Sequence, residues 1–170
     1  MSEILYWLPA CCLKHHLQDM VDGGWRTLKS GNVKHWEHFE HKADIGIRGY
    51  GATPPAAFAQ CALALTAVST DPAQVAPRVP VSIACAAPEL DALLLDWLGA
   101  LLLEMDRRKM LFSRYEIQIA EGKLTATAWG ETVEPARHQP AVEVKAATYH
   151  ALAVRQLADG SWLAQCVVDV

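Results

Sequence analysis

The chain has 170 residues, of which 52% are hydrophobic and 20% are charged, and its formal net charge is −4. This size and composition predict one globular domain with a single core, and the negative charge excludes nucleic-acid binding through an overall basic surface. The longest apolar run, Leu90 to Leu103, contains two aspartates and is shorter than the roughly 20 residues that cross a bilayer. No basic residue precedes the apolar start of the chain, so we expect a cytoplasmic protein that does not engage a membrane.

The first 34 residues differ from the rest of the chain. They contain a Gly23-Gly24 break and a polar run, and four basic residues outnumber three acidic ones. We interpret residues 1–34 as an N-terminal extension, expected to be poorly ordered, and residues 35–170 as the main domain. The extension contains Cys11 and Cys12, whose adjacency disfavours an intramolecular disulfide. The odd, scattered set of five cysteines is typical of buried thiols in a reducing compartment.

Strand and helix patterns follow one another along the main domain. Alternating apolar and polar residues predict strands, and Thr53 and Pro88-Glu89 provide the starts of two helices. The second helix has a wide apolar face and should be the central core helix. The predicted elements are a strand at 43–48, a helix between Thr53 and Asp71, a strand at 79–83, a helix at 89–109, strands at 111–119 and 123–129, a loop at 135–140, one long strand or a bent pair of strands at 142–155, and a strand at 162–168.

These elements predict the α+β class. Many strands with only two core helices indicate a two-layer architecture, in which a mostly antiparallel or mixed sheet packs against two helices.

The stretch from Val142 to His150 concentrates polar side chains in a predicted strand. Glu143, Lys145 and Tyr149 lie within it, close to the imidazole of His150. Lys145 could bind a phosphate group as a point charge. Alternatively, Lys145 pairs with Glu143 on the same face of the strand, a surface pair that contributes little stability.

Two aspartates stand beside apolar residues of predicted strands. Asp44 lies either at a sheet edge in water or at a ligand site, since a buried aspartate is rare unless it is paired. Asp169 precedes Val170, and their neighbouring carboxylates repel each other unless a cation lies between them or both are solvated. A frayed polar terminus is the alternative. Pattern alone therefore predicts a candidate cation site built from oxygen ligands that are far apart in sequence.

The sequence contains none of the common catalytic motifs. Phosphate-binding loops, dinucleotide fingerprints, zinc-protease helices and nucleophile elbows are absent. No serine or cysteine nucleophile stands at a recognisable spacing from His138 or His150. These absences argue against an independent metal-dependent hydrolase.

Several blocks occur in series: F-E-H-K-A-D-I-G-I-R-G-Y-G, A-F-A-Q-C-A-L-A-L, L-L-L-D-W-L, L-F-S-R, W-G-E, E-V-K-A-A-T-Y-H and the final V-V-D-V. In this order and spacing they resemble the archease family, from about Trp36 to Val170. The resemblance implies an archease-like fold and a non-catalytic accessory protein of the RNA-splicing ligase RtcB. Such a protein promotes guanylylation of the ligase and multiple-turnover RNA and tRNA ligation, and it meets RNA only through the ligase.

The resemblance also implies a bound divalent cation, calcium in the family. Residues that match the family's functional blocks are Asp44, Asp169 and Val170 for the metal, Lys145 for ligase activation, and His41 and Glu143 in supporting roles. An alternative within the family is a chaperone or specificity modulator of another RNA-processing enzyme, such as a tRNA methyltransferase.

Two positions depart from the family pattern. Lys42 stands where the family usually has threonine, and it could weaken cation binding by repulsion or pair with Glu40. Gly99-Ala100 replaces the Asn-Glu or Asp-Glu of many members on the long helix. If that acidic residue is a functional contact elsewhere in the family, this chain lacks it.

Overall fold

The computed structural model describes residues 34–41 and 44–170, which form seven strands and three α-helices. The elements are β1 (His35–His41), β2 (Asp44–Gly51), α1 (Pro54–Ser69), a short 3₁₀ helix (Pro72–Gln74), β3 (Val79–Ala86), α2 (Leu90–Arg108), β4 (Met110–Ala120), β5 (Lys123–Thr132), α3 (Pro135–His138), β6 (Ala146–Gln156) and β7 (Trp162–Asp169). The expectations for residues 1–33, including Cys11 and Cys12, and for Lys42 lie outside this range.

The strands form two antiparallel sheets, with orders β1-β2-β7-β6 and β3-β5-β4. This arrangement confirms the predicted α+β class. It differs from the prediction in having two sheets rather than one. The hairpin of β4 and β5 takes β3 as its further partner, whereas the hairpin of β6 and β7 pairs with β2.

Helices α1 and α2 and the inner faces of the sheets enclose the hydrophobic core. Five residues of α2 are buried, including Trp97, which confirms α2 as a core helix. Helix α1 lies directly on β2, where a methyl group placed on Gly49 would be only 2.1 Å from the Cys61 amide nitrogen. Such a close approach is available only to glycine.

The start of α1 follows from its sequence. The Thr53 hydroxyl accepts a hydrogen bond from the Ala56 amide at 3.4 Å, and prolines occupy the first turn. This is the predicted N-cap, which satisfies an amide that has no partner within the helix.

Two predictions about strands were incomplete. Strand β1 was not predicted, because its large apolar residues Trp36 and Phe39 are three apart and therefore lie on opposite faces. The predicted strand at 142–155 was wrong at its start, since residues 142–145 are irregular and β6 begins at Ala146. The segment before β6 is held by other contacts, such as the bond from the Ala141 amide to the Ser69 carbonyl at 3.0 Å.

Across residues 34–41 and 44–170, none of the helices combines the length and the apolarity that a membrane crossing requires.

Candidate functional site at the ends of strands β2 and β7

Strand register brings Asp44 and Asp169 together. Ile45 pairs with Val168 in the antiparallel ladder, so Asp44, the first residue of β2, stands opposite Asp169, the last residue of β7. Directly opposed residues have Cβ atoms about 4.5–5.5 Å apart. Val168 is fully buried in the core, so strand alternation turns both carboxylates to the outer face of the sheet. The two predicted metal ligands thus meet at one end of β2 and β7.

Two hydrogen bonds hold Lys145 beside Asp169 and Val170, at the same end of β7. Its amide donates to the Asp169 carbonyl at 2.9 Å, and its ammonium Nζ donates to the Val170 oxygen at 3.0 Å. Its side chain is exposed. We call the group of Asp44, Asp169, Val170 and Lys145 the acidic corner.

Two histidines lie beside the acidic corner. His41 of β1 pairs with Asp44, and its ring centroid is 5.9 Å from that of His150 of β6. The Nδ1 atom of His41 is buried and has no hydrogen-bond partner among the described residues. His41 therefore adjoins the acidic corner, and so does His150, which the sequence indicated only as one of the polar residues of the stretch from Val142 to His150.

Glu143 is directed elsewhere. It lines a cavity of about 340 Å³ between the C-terminal ends of α1 and α2, beneath the irregular segment 140–144. The pKa of Lys109 in the same lining is raised by a hydrogen bond to Asp106 and, to a smaller extent, by the charge of Glu143. In the part of the chain that the structure describes, Glu143 forms no ion pair with Lys145. The alternative of a Glu143–Lys145 surface pair is therefore wrong.

A bulge in β6 borders the acidic corner. The register between β6 and β7 shifts between Thr148 and Ala153, and Ala151 within it adopts a left-handed backbone with φ of 49°. The Thr148 hydroxyl donates to the Val167 carbonyl at 2.9 Å, and Gln165 Nε2 donates to the Ala151 carbonyl at 2.9 Å. Bulges re-aim side chains and occur frequently next to functional sites. The alternating sequence pattern contained no signal for this one.

A buried carboxylate fixes the chain before Lys145. Glu131 is 5% exposed and accepts hydrogen bonds from the Ala76 amide at 2.6 Å and from Arg137 at 2.8 Å. His138 Nε2 lies 3.2 Å from the same carboxylate, while its Nδ1 accepts from the Glu134 amide at 2.8 Å. Since Nδ1 is an acceptor, the imidazole carries its proton on Nε2 and donates it to Glu131. We call Glu131, Arg137 and His138 the Glu131 cluster.

The Glu131 cluster was not predicted as a unit, because its members belong to a strand end and a loop. The Thr70 hydroxyl donates to the His138 carbonyl, which ties α3 to the end of α1. The segment from Gln139 to Lys145 is therefore anchored at its start by α3. At its end it is anchored by the hydrogen bond from the Lys145 amide to the Asp169 carbonyl. Both ends of the segment that delivers Lys145 are held by hydrogen bonds.

Glu131 should make stability depend on pH. The hydrogen bonds from Arg137 and the Ala76 amide lower its pKa from an ordinary 4.5 to about 2, against the opposing effect of burial. The folded protein thus keeps the proton off Glu131 more strongly than the unfolded chain does, and the stabilisation is present above pH 4.5 and lost as the pH falls toward 2. We expect Glu131→Gln to be less stable than the parent at pH 7, with the difference shrinking steadily below pH 4.5.

Urea unfolding of both proteins between pH 7 and pH 3 measures this difference. Glu121→Gln, at an exposed turn, is the control and should track the parent at every pH. A Glu131→Gln difference that stays constant across this range would contradict the role assigned to the charge.

The donors at the acidic corner are two carboxylates and the oxygen of Val170. These are hard oxygen ligands of the kind that calcium and magnesium prefer. Among the described residues, no three His, Cys, Asp or Glu side chains form a metal-binding group. The predicted metal ligands include only two side chains of these types, those of Asp44 and Asp169, because the third predicted ligand is an oxygen of Val170.

Fold and site together define a small, two-sheet α+β protein that presents a carboxylate pair and a lysine where two neighbouring strands end. The model of the archease protein family matches residues 36–170. The chain belongs to the archease family, as its sequence blocks predicted.

Relatives and solved structures agree with this assignment. The chain is 40% identical to the protein archease of Pyrococcus furiosus over 142 residues, covering 81% of this chain and all of the relative, and 36% identical to that of Sulfurisphaera tokodaii over 140 residues, with 81% and 100% covered. The solution structure of Methanobacterium thermoautotrophicum protein 1598 superposes with a TM-score of 0.71 at 31% identity, covering 79% of this chain and 98% of that one. A Thermotoga maritima crystal structure, described as an archease, possible chaperone, shares the fold at a TM-score of 0.54 and 18% identity, with 79% and 96% covered. Membership of this family fits an accessory or chaperone role.

Proposed function

We propose that this protein is a non-catalytic activator of an RNA-splicing ligase of the RtcB type. In this proposal the acidic corner enters the nucleotide-binding region of the ligase and promotes guanylylation and multiple-turnover ligation. RNA is met only through the ligase. The buried thiols of Cys61 and Cys166 are free, which suits a reducing compartment such as the cytoplasm.

One observation carries the proposal. The β2–β7 register and the two bonds of Lys145 assemble Asp44, Asp169, Val170 and Lys145 from three separate parts of the chain. Hydrophobic packing alone does not require two like charges to stand opposite each other, because that arrangement is destabilising in a sheet. A cation between the carboxylates would remove the repulsion.

The donor set fits a divalent cation. Calcium takes six to eight oxygen ligands, so two carboxylates and one main-chain oxygen leave positions for water or for a partner's groups. A divalent cation, when bound, supplies positive charge that neutralises phosphate oxygens. Asp44 and Asp169 would hold the cation, and Val170 would add its oxygen.

Lys145 has two roles in this proposal. Its Nζ holds the Val170 oxygen at 3.0 Å, which fixes the chain end beside the carboxylates. The ammonium has three donors, so those that do not bond Val170 can meet a phosphate oxygen of the ligase-bound nucleotide. The exposure of the side chain makes this second contact accessible to a partner.

We expect Lys145→Ala to lower stimulation of the cognate ligase by about 10- to 100-fold, the effect of losing a hydrogen bond to a charged group. The measurement is ligation of a 3′-phosphate RNA end to a 5′-hydroxyl end, with this protein in catalytic amounts. Lys123→Ala, an exposed lysine in the other sheet, should stimulate like the parent. If Lys145→Ala also stimulates fully, the acidic corner is not the activating surface.

The cavity supports a second candidate function. About 340 Å³ of mostly apolar space, with Leu65, Leu102 and Met105 in its lining, could receive an apolar side chain of a client protein. This surface would suit a chaperone or specificity modulator of another RNA-processing enzyme, such as a tRNA methyltransferase. Co-purification with a methyltransferase, combined with unchanged ligase turnover, would favour this second function over the first.

A further inference from the structure

We infer that His41 and His150 form a second metal site, which takes a borderline transition-metal cation such as Zn²⁺ through imidazole nitrogens. This imidazole site adjoins the acidic corner but uses none of the oxygen ligands that are proposed there for calcium. It therefore goes beyond the proposed function and depends on different side chains.

The two imidazoles come from opposite edges of one sheet. Strands β1 and β6 are the outer members of the order β1-β2-β7-β6, so the usual strand spacing places their backbones about 14 Å apart. The ring centroids of His41 and His150 are nevertheless only 5.9 Å apart. Side chains from the two edges of the sheet therefore meet, although the hydrogen-bond ladder does not require this contact.

Strand register and the β6 bulge explain how they meet. His41 pairs directly with Asp44, so its side chain lies on the same outer face of the sheet as that carboxylate. The shift in register between Thr148 and Ala153 releases His150 from the ladder. Because bulges re-aim side chains, His150 is free to reach across the outer face toward His41.

Hydrogen bonds determine which nitrogen of His150 carries the proton. The Thr148 hydroxyl donates to the Val167 carbonyl at 2.9 Å, so its oxygen is the acceptor in the contact with His150 Nδ1 at 3.3 Å. Nδ1 therefore carries the proton, and Nε2 keeps a free lone pair. Metal-binding histidines are commonly oriented in this way, with the second nitrogen donating to a nearby oxygen.

His41 supplies the second imidazole. Its Nδ1 atom is buried and has no hydrogen-bond partner among the described residues. A buried nitrogen without a partner costs free energy, which a bound cation would offset. The carboxylate of Asp44, which pairs with His41, adds a negative charge beside the imidazole site and so favours a cation there.

Distance and ligand type indicate which cation fits. With zinc–nitrogen bonds of about 2.0–2.1 Å, two imidazoles that share one tetrahedral ion have ring centroids roughly 5–6 Å apart. The observed separation is 5.9 Å. Imidazole suits zinc, copper and nickel, whereas carboxylate and carbonyl oxygens suit calcium and magnesium. The imidazole site and the acidic corner should therefore select different cations, and water completes the coordination of the first.

The test is calorimetric titration of full-length proteins with Zn²⁺. Parent and variants all carry Cys11→Ser and Cys12→Ser, because these thiols would also bind zinc. We expect His150→Gln and His41→Gln each to weaken zinc affinity by about 100-fold, since losing a ligand costs at least as much as losing the group that orients it. His35→Gln, at the other end of β1 and stacked on a tyrosine, should bind zinc as the parent does.

Two further variants separate ligation from folding and from the acidic corner. Thr148→Val keeps both imidazoles but removes the acceptor for His150 Nδ1, so it should weaken zinc affinity by about 10-fold, whereas Thr148→Ser should restore it. Asp169→Asn removes a proposed calcium ligand and should change zinc affinity by less than about threefold. Zinc should raise the melting temperature of the parent and of Asp169→Asn, but not that of His150→Gln.

The outcomes distinguish the imidazole site from the proposed function. If His41→Gln and His150→Gln both keep the parent's zinc affinity, the inference is overturned. It is also overturned if Asp169→Asn loses zinc as strongly as His150→Gln, because the cation then lies at the acidic corner. If zinc binding depends on the two histidines while the parent does not stimulate the ligase, the imidazole site stands and the proposed function fails.

Discussion

Asp169→Asn is expected to lower ligase stimulation by about 10- to 100-fold and to abolish calcium binding at the acidic corner. The substitution keeps the size of the side chain and removes its charge. An amide oxygen is a weaker ligand for a hard cation than a carboxylate, and Asp44 alone would then face the ion. Because Asp169 is exposed and ends its strand, the fold should be unaffected.

The same loss is expected for Asp44→Asn, and the double variant should be little worse than either single one. Two ligands of a single ion act as a unit, so their effects are not additive. Calorimetric titration with calcium and the ligation assay provide two independent measurements. Asp96→Asn, an exposed residue of α2, should match the parent in both. Full calcium affinity in the double variant would refute the metal site, and full stimulation without calcium binding would separate activation from the metal.

Gly49→Ala is expected to destabilise the protein by about 3 kcal/mol. Its methyl group would lie 2.1 Å from the Cys61 nitrogen and 2.3 Å from the Ala57 oxygen. Both are backbone atoms of α1, so no side chain can rotate away and the helix must lift off β2. Since α1 and β2 share the core, the displacement loosens packing around Ile47 and Phe58 as well.

Chemical denaturation with urea measures this loss as a lower midpoint at an unchanged slope. Gly99→Ala is a matched control, since nothing lies within 4 Å of a methyl group at that exposed helical position. It should stabilise the protein by up to about 1 kcal/mol, because alanine favours helix over glycine. A destabilisation below about 1 kcal/mol at Gly49 would mean that α1 is not seated as closely as the structure has it.

Much of the fold follows from local rules. The Thr53 cap of α1, the periodicity of α1 and α2 and the turns at Glu121-Gly122 and Asp159-Gly160 involve residues that are neighbours in sequence, so the pattern alone places them. The division into two sheets does not follow from such rules. It depends on whether β5 pairs with β3 or with a strand of the other hairpin, and that choice is made by packing between distant segments.

In the candidate site, too, the sequence identifies individual residues but does not determine their arrangement in space. Asp44, Asp169 and Lys145 were identified by matching sequence blocks, whereas their proximity comes from the β2–β7 register and from the contact of Lys145 with Val170. Glu143 matched a block equally well, yet it faces the cavity, because the irregular segment breaks the alternation that a strand would have imposed. The β6 bulge and the Glu131 cluster needed the structure, since neither a bulge nor a buried ion pair has a fixed sequence spacing.

The position of β7 inside its sheet has a consequence for folding order. β7 is the last of the seven described strands, yet it lies between β2 and β6, and the hydrogen bond from Arg48 of β2 to Gln165 of β7 joins residues 117 positions apart. Closing so long a loop is slow relative to forming hairpins. A nascent or C-terminally shortened chain can therefore build the β3-β5-β4 sheet while the acidic corner does not yet exist. Binding of calcium or of a partner at that corner would then report that β7 has taken its place between β2 and β6.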